Sequence, residues 1–289
     1  MGDSKRPPRQ PLTITEAQEI AADLRHGRRD RVEDVRFPEG FQLQVGTMYG
    51  LTFSNCQVWL ALGGGMFRGG VMEDCRFRDV DFDPLTVRAS EIRETTFERV
   101  TFGLQAMGGI DDSVIEGGSF ARCRLLDFGF RRTTFSRVGI DAGRMDRVRF
   151  EACAFSDVRI ASALKDVDLR DCGFDSSDLS ASDVIDVTLS GWRSADLRLP
   201  GLRTGFFVTP GAVSEVLATM LDGLSAPFRD SVFAGVVMAG FDLVAVSERF
   251  FTNALGAGPH EASILVDALF PHRLEALDPV RPRTGPVVR

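Results

Sequence analysis

Few residues suited to catalysis occur in this sequence. Its 289 residues include one tyrosine, two tryptophans and three histidines. His26, His260 and His272 stand apart from any serine, cysteine or carboxylate spacing that a triad or a metal site needs. Basic charge is not in surplus: 41 acidic residues against 34 basic ones give a net charge of −7 and a pI near 5.1. Such a balance disfavours generic binding of nucleic acid or of anionic membranes. Long apolar runs are also missing. The most apolar stretch, Ser231 to Val246, is too short to span a bilayer and contains Asp242. With no secretory segment in view, the chain is expected in the cytoplasm, without membrane contact and without direct nucleic-acid binding. Gly63-Gly64-Gly65 is not followed by a helical pattern, so it lacks the context of a phosphate loop. No catalytic residue, cofactor or metal is expected, and the chain does not read as an enzyme.

What the chain does have is a period of five. Large apolar residues recur at Phe67, Met72, Phe77, Phe82, Val87, Ile92, Phe97, Phe102 and Met107, and again from Ile110 and Ile115 through Phe120, Leu125, Phe130, Phe135, Ile140, Met145, Phe150 and Phe155 to Ile160. Five matches neither the helical period of 3.6 nor the strand period of 2. A fixed internal period points to a solenoid. The frame starts near Leu43, Met48, Phe53 and Val58 and slips by one residue through Leu62 to Phe67, next to the three glycines. It jumps by three after Met107, loses one residue between Ile160 and Leu164, and jumps once more to Trp192 and Leu197. Two positions before most centres the residue is small or β-branched, as at Cys75, Thr95, Gly118, Thr133 and Ser177. Trp59 and Tyr49 are expected to face outward near a corner.

These units resemble the pentapeptide-repeat family, with Ser177-Asp178-Leu179 and Ala195-Asp196-Leu197 the closest matches. The resemblance covers about residues 37 to 207. It implies a mainly β fold, a right-handed quadrilateral parallel β-helix with four pentads per coil and with centres and small residues pointing inward. Twenty residues per coil would stack each outward side chain over the one 20 positions on, or 19 across a deletion. Charges at that spacing mostly alternate in sign: Asp79 with Arg99, Asp112 with Arg132, Arg78 with Glu98 and Arg149 with Asp168 are examples, while Arg68 with Arg88 and Asp166 with Asp186 are like pairs. Exposed pairs are weak, so such a ladder sets register more than stability. All five cysteines fall at the inward small position, Cys56 over Cys75 and Cys153 over Cys172, with Cys123 between. There they read as small hydrophobes, and no disulfide is expected in a reducing cytosol.

The flanks differ. Residues 1–12 are charged and Pro-rich and read as a disordered tail. Residues 13–36 read as an N-terminal capping helix, begun by Thr13 or Thr15, with Ala17, Ile20, Ala21 and Leu24 on one face. Residues 37–207 are the repeat β-helix, 208–278 a C-terminal α-helical domain and 279–289 a second disordered tail. Helices are expected over 210–223, 227–255 with a break at Gly240, and 259–270, with a short one from 271. Phe233, Phe241, Phe250, Phe251 and Phe270 are the residues by which this domain is expected to form a homodimer.

In function, the resemblance implies a DNA mimic that binds a type II topoisomerase, DNA gyrase, and gives resistance to gyrase poisons. The ladder limits that mimicry to local patches: net charge divides as −5 over 37–115, +4 over 116–165 and −4 over 166–203. Asp171, Asp175, Asp183 and Asp186 lack an opposite charge in register and are the expected partner-binding residues. Arg122, Arg124 and Arg144 form a basic counterpart that a DNA-like surface would not carry. The alternative is an interaction scaffold, a rigid rod whose C-terminal helices dimerise or bind another protein.

Overall fold

The computed structural model describes residues 9–41, 47–58, 63–103, 108–194, 196–202, 204–220, 224–274 and 276–277. Most of the two expected tails, at 1–8 and 278–289, lies outside the described residues, as do Leu43, Trp59, Leu62, Met107, Ala195 and Leu221. The chain divides into two compact units, Met1–Arg144 and Met145–Arg289.

The first unit is a parallel β-solenoid in which each pentad forms one side of a coil. Strands Thr52–Ser54, Val71–Glu73, Glu91–Arg93, Val114–Glu116 and Thr134–Ser136 stack as one side, and Gln57–Val58, Arg76–Arg78, Thr96–Glu98, Ser119–Ala121 and Gly139–Asp141 as the next. The other two sides merge into one sheet because Asp81–Arg88 runs straight through a corner: Phe82 lies opposite Phe102, and Val87 opposite both Phe67 and Ile110. The coil length follows the frame slips. Phe53 pairs with Met72 across 19 residues, Phe77 with Phe97 across 20 and Phe97 with Phe120 across 23, so the three-residue insertion falls between Phe102 and Gly108.

Alternation explains why the period survives. Each centre turns inward, and Phe67, Phe77, Phe82, Phe97 and Phe102 are at most 3% exposed. Stacked rungs bring like rings together: Phe77, Phe97 and Phe120 form a column with centroids 5.2 and 4.9 Å apart and nearly parallel planes. Two residues past a centre the chain turns with positive φ, between 47° and 54° at Asp74, Asp79, Glu94, Arg99, Asp112, Arg122, Arg132 and Arg137. L-residues are disfavoured there by roughly 1–2 kcal/mol each. The inter-coil hydrogen bonds on either side hold them in place, as where Asp79 N–H donates to the Glu98 carbonyl at 3.1 Å.

Pairing also reaches ahead of residue 37. Arg31–Glu33 pairs with Thr52–Ser54, and Gln10–Pro11 pairs with Val35–Arg36. Helix α1, Ile14–Arg25, begins with a capping box: Thr13 Oγ1 accepts from the Glu16 N–H at 3.2 Å and Glu16 Oε2 accepts from the Thr13 N–H at 2.7 Å. Its Ala17, Ile20, Ala21 and Leu24 are buried.

The second unit repeats the plan. Arg144–Glu151, Ala163–Arg170 and Asp183–Ser190 stack through the merged sides, Phe150 opposite Leu169 and Leu169 opposite Leu189. Here one expectation is corrected. The frame does not jump to Trp192: Phe174 pairs with Ser194, and Ser177 with Leu197, so the 20-residue register continues. Trp192 and Leu197 take the small-residue column, while Ser194 and Leu199 take the centre. Hydrogen bonds to the rung below fix backbone register whatever the side chains. The sheet carrying Arg193–Ser194 ends at that rung, so no further coil constrains residue size there.

The segment after the last coil folds back on it. Helices α2 (Pro210–Thr219), α3 (Ala226–Val232), α4 (Glu248–Leu255) and α5 (Pro259–Leu269) enclose a core of Val213, Leu217, Phe228, Val232, Phe251, Leu265 and Leu269. The helix expected over 227–255 is interrupted. A π-helical turn occupies Phe233–Val237, Gly240 turns at φ 77°, and Leu243–Val246 is a strand. That strand pairs antiparallel with Thr188–Leu189 on one side and with Phe206–Val208 on the other. A short β-branched run next to an open sheet edge gains more from completing the ladder than from a helix. Ala276–Leu277 covers Leu197–Arg198 in the same way. Among the described residues no helix is long and apolar enough to cross a membrane.

Candidate protein-binding surface

Outward charges behave differently at corners and on strands. At corners, where positive φ fixes the side-chain direction, stacked opposite charges meet end on: Arg99 binds Asp79 through two bonds of 2.6 and 2.7 Å, and Arg132 binds Asp112 through bonds of 2.5 and 2.8 Å. Both carboxyl groups are held below the usual range, first by those bonds. A third corner column is Glu94, Gly117 and Arg137. Gly117 leaves room for the Glu94 carboxylate, which reaches Arg137 at 3.6 Å, while Glu116 accepts from Arg137 at 3.0 Å. On strands the partner is often a sideways neighbour: Arg93 meets Glu91 at 2.6 Å, and Arg170 meets Asp168 at 3.0 Å. The 23-residue coil adds Arg88 with Asp111 at 3.3 Å.

The four aspartates of interest lie in the second unit. Asp171 is a corner residue with φ 54°, and Asp175 ends strand Gly173–Asp175, so these two bracket one side of the coil. Asp183 and Asp186 lie on the next long strand, Asp183–Ser190, and are therefore not on that side. Asp171, Asp175 and Asp183 are exposed, and among the described residues no ion pair within 4.0 Å involves these three. Asp175 accepts a bond from Ser176 Oγ at 3.3 Å. Asp186 is half-buried and, contrary to the expectation that it has no opposite charge in register, a register shift sets it against Lys165; burial, followed by the charge of Asp166, still pushes its carboxyl up against the opposing pull of Lys165. It is the least phosphate-like of the four.

The fold brings in one acid that sequence reasoning passed over. Asp171 leans over Gly191, where a Cβ would come within 2.1 Å of its Oδ1, and the Gly191 N–H donates to Asp242 Oδ2 at 2.7 Å. Asp242 thereby joins the Asp171 corner. Its contribution depends on the antiparallel strand that follows it, and nothing in the local sequence announces it.

The five phenylalanines of the C-terminal segment have separate fates. Phe250 and Phe251 are buried in the chain's own core, with ring centroids 5.2 Å apart. Phe270 packs edge-on to Phe206 at 5.3 Å beneath the Arg273 guanidinium. Phe241 is half-buried, and Phe233 is 44% exposed beside Met238 at 69%. The cysteines are all buried thiols, and burial pushes Cys123 up to about 12. Among the described residues no group of three or more His, Cys, Asp or Glu is arranged to hold a metal.

No family model matches the chain, and no curated protein matches it. Among solved structures it is similar to QnrB1, a plasmid-mediated fluoroquinolone resistance protein, at 13% identity over 57% of this chain and 83% of that one, with a TM-score of 0.37. It is also similar to HetL, a pentapeptide-repeat protein involved in heterocyst differentiation regulation in the cyanobacterium Nostoc sp. strain PCC 7120, at 8% identity over 63% of this chain and 90% of that one, TM-score 0.30. A third likeness is to the Agl-KA catalytic domain, at 8% identity over 63% of this chain and 62% of that one, TM-score 0.24. Likenesses this distant, one of them to a catalytic domain, carry no functional argument. What the chain's own five-residue register, stacked coil on coil within each unit, establishes is the fold: a parallel β-solenoid of pentads.

Proposed function

We propose that this chain is a non-enzymatic protein ligand of a type II topoisomerase, DNA gyrase, and that it occupies part of the enzyme's DNA-binding surface and so protects it from gyrase poisons. The observation behind this reading is the set of exposed aspartates in the second unit, Asp171 and Asp175 bracketing one side of the coil and Asp183 on the next long strand. Asp171, Asp175 and Asp183 are exposed without ion-pair partners among the described residues, and Asp242 adds a fourth carboxylate beside Asp171. In the first unit carboxylates such as Asp79, Glu98 and Asp112 are matched by arginines, so a DNA-like field is favoured where such pairing stops. Supercoiling assays with the purified full chain test the proposal. Inhibition of gyrase and protection from a poison at stoichiometric protein are expected, and Asp175→Lys with Asp183→Lys should remove both. Absence of both effects in the unaltered chain sinks the proposal.

A second reading, an interaction scaffold that dimerises, is favoured by the exposed Phe233 and Met238 at the π-helical turn. Truncation at residue 209 is unsuited to testing it, because the removed segment includes strand Leu243–Val246, which is paired into the coil. Met238→Lys with Phe233→Asp leaves that strand alone. A solution mass of a dimer that falls to a monomer supports this reading, and a monomer for the unaltered chain rejects it.

A further inference from the structure

The last coil of the second unit is closed unevenly. Leu243–Val246 pairs onto Thr188–Leu189, and Ala276–Leu277 onto Leu197–Arg198. The side between them has no such strand among the described residues: its sheet ends at Arg193–Ser194. Arg193 N–H donates to the Cys172 carbonyl of the rung below at 2.9 Å, so by the alternation of a strand the N–H and carbonyl of Ser194 point off the open end. Ser194 is 8% exposed, whereas Phe155 and Phe174 beneath it are at 2% and 3%, and Arg193 and Asp196 on either side are exposed. An edge left in this state is a template for one more strand.

The chain itself heads for that edge. Ala276 lies opposite Arg198 and Leu277 opposite Leu197, antiparallel, so each later residue steps back along the last rung toward Ser194. The sequence continues Asp278-Pro279-Val280-Arg281-Pro282-Arg283. Carried on without a slip, the register sets Val280 opposite Ser194, Pro282 opposite Trp192 and Arg283 opposite Gly191. The proline spacing suits an edge strand. Next to a paired Val280 the backbone nitrogen of Pro279 points away from the rung, where an N–H is not needed, and Pro282 ends the pairing. The Gly191 N–H farther along is already bonded to Asp242 Oδ2 at 2.7 Å. Side chains directly opposite in an antiparallel pair share a face, so Val280 would stand over Ser194 and extend the apolar column of Phe155 and Phe174. Charge agrees at the far end, because Arg283 arrives where the exposed Asp171 and Asp242 meet at Gly191. Arg281 falls opposite Arg193, a like pair at an outward position where water screens it.

We propose that residues 279–282 dock on the open edge at Arg193–Ser194 as an antiparallel strand, and that Arg283 caps the corner of Asp171 and Asp242. The C-terminal segment thereby closes the remaining side of the coil. Since Asp171 belongs to the surface proposed for gyrase, a docked segment competes with the enzyme there. That consequence rests on the reading above, whereas the docking does not.

Residue-resolved amide exchange on the unaltered full chain, at several protein concentrations, tests the docking without any partner. Ser194 and Val280 are expected to exchange slowly and at rates independent of concentration. Val280→Pro removes the N–H that bonds the Ser194 carbonyl and should speed exchange at Ser194 by roughly tenfold or more, the effect of losing two neutral hydrogen bonds. Leu189, paired with Leu243, serves as the unmoved reference. Arg283→Asp should also speed Ser194, whereas Arg289→Asp, the same change of charge beyond the pairing, should not. Circular dichroism confirms that each variant is folded. Fast exchange at Ser194 in the unaltered chain, no response to Val280→Pro, or equal responses to Arg283→Asp and Arg289→Asp would overturn the proposal. Protection that grows with concentration would give the edge to a second copy and overturn it as well.

Discussion

Ala152 offers a test of how the corners shape stability. It sits at a corner with φ 51° and is exposed, with no polar side chain to offset the strained backbone. Two residues on, Ala154 is equally exposed but begins strand Ala154–Ser156. Replacing Ala152 by glycine relieves a left-handed conformation that costs an L-residue roughly 1–2 kcal/mol. Against that stands the extra chain entropy of glycine, roughly 0.5–1 kcal/mol. The balance is a gain of roughly 0–1.5 kcal/mol for Ala152→Gly. The same substitution at Ala154 keeps only the entropic term and should cost about 0.5–1 kcal/mol. Urea unfolding, followed by a probe in the second unit, compares the two midpoints against the unaltered chain. Opposite signs are expected from chemically identical changes two residues apart. A loss of stability in Ala152→Gly would refute the idea that corner strain is being offset by the hydrogen bonds between coils.

Other outcomes follow from the same geometry. At Gly118, with φ 78°, a Cβ would fall 2.0 Å from the Thr95 carbonyl oxygen, so Gly118→Ala should cost at least about 2 kcal/mol in urea unfolding. The Asp186 carboxyl is raised in the folded chain, so its ionisation destabilises the fold above the folded value and that penalty disappears as pH falls through it. Asp186→Asn should therefore raise the melting temperature at pH 7, with the advantage vanishing in acid. Phe251→Ala empties a fully buried site in the C-terminal core and should cost about 3–5 kcal/mol, with faster amide exchange at Leu189 and Val244 as its sign. Acid should also weaken the first unit: the depressed Asp79 and Asp112 contribute stability above about pH 4, the unfolded value, and lose it as pH falls through their folded values.

The apolar period of five by itself determined which residues are inside. Phe77 and Phe97 had to stack at 20 residues, and 19 was legible where the frame loses a residue, because each deletion moves every later centre; the 23-residue coil that sets Phe120 on Phe97 emerged only from the strand register. Corner pairs such as Asp79 with Arg99 were legible for the same reason, since stacking converts sequence distance into contact. Tertiary structure decided the rest. Register at Ser194 came from the rung below, against the apolar appeal of Trp192. Leu243–Val246 became a strand because an open sheet edge was waiting for it, and Phe250 and Phe251 went to the chain's own core rather than to a partner. Asp242 reached the Asp171 corner across 51 residues of sequence from Gly191, and Arg9 reached Asp74 across 65. A repeat encodes its own lattice, whereas the segments that close its ends are placed by whatever backbone groups and surfaces the lattice leaves unpaired.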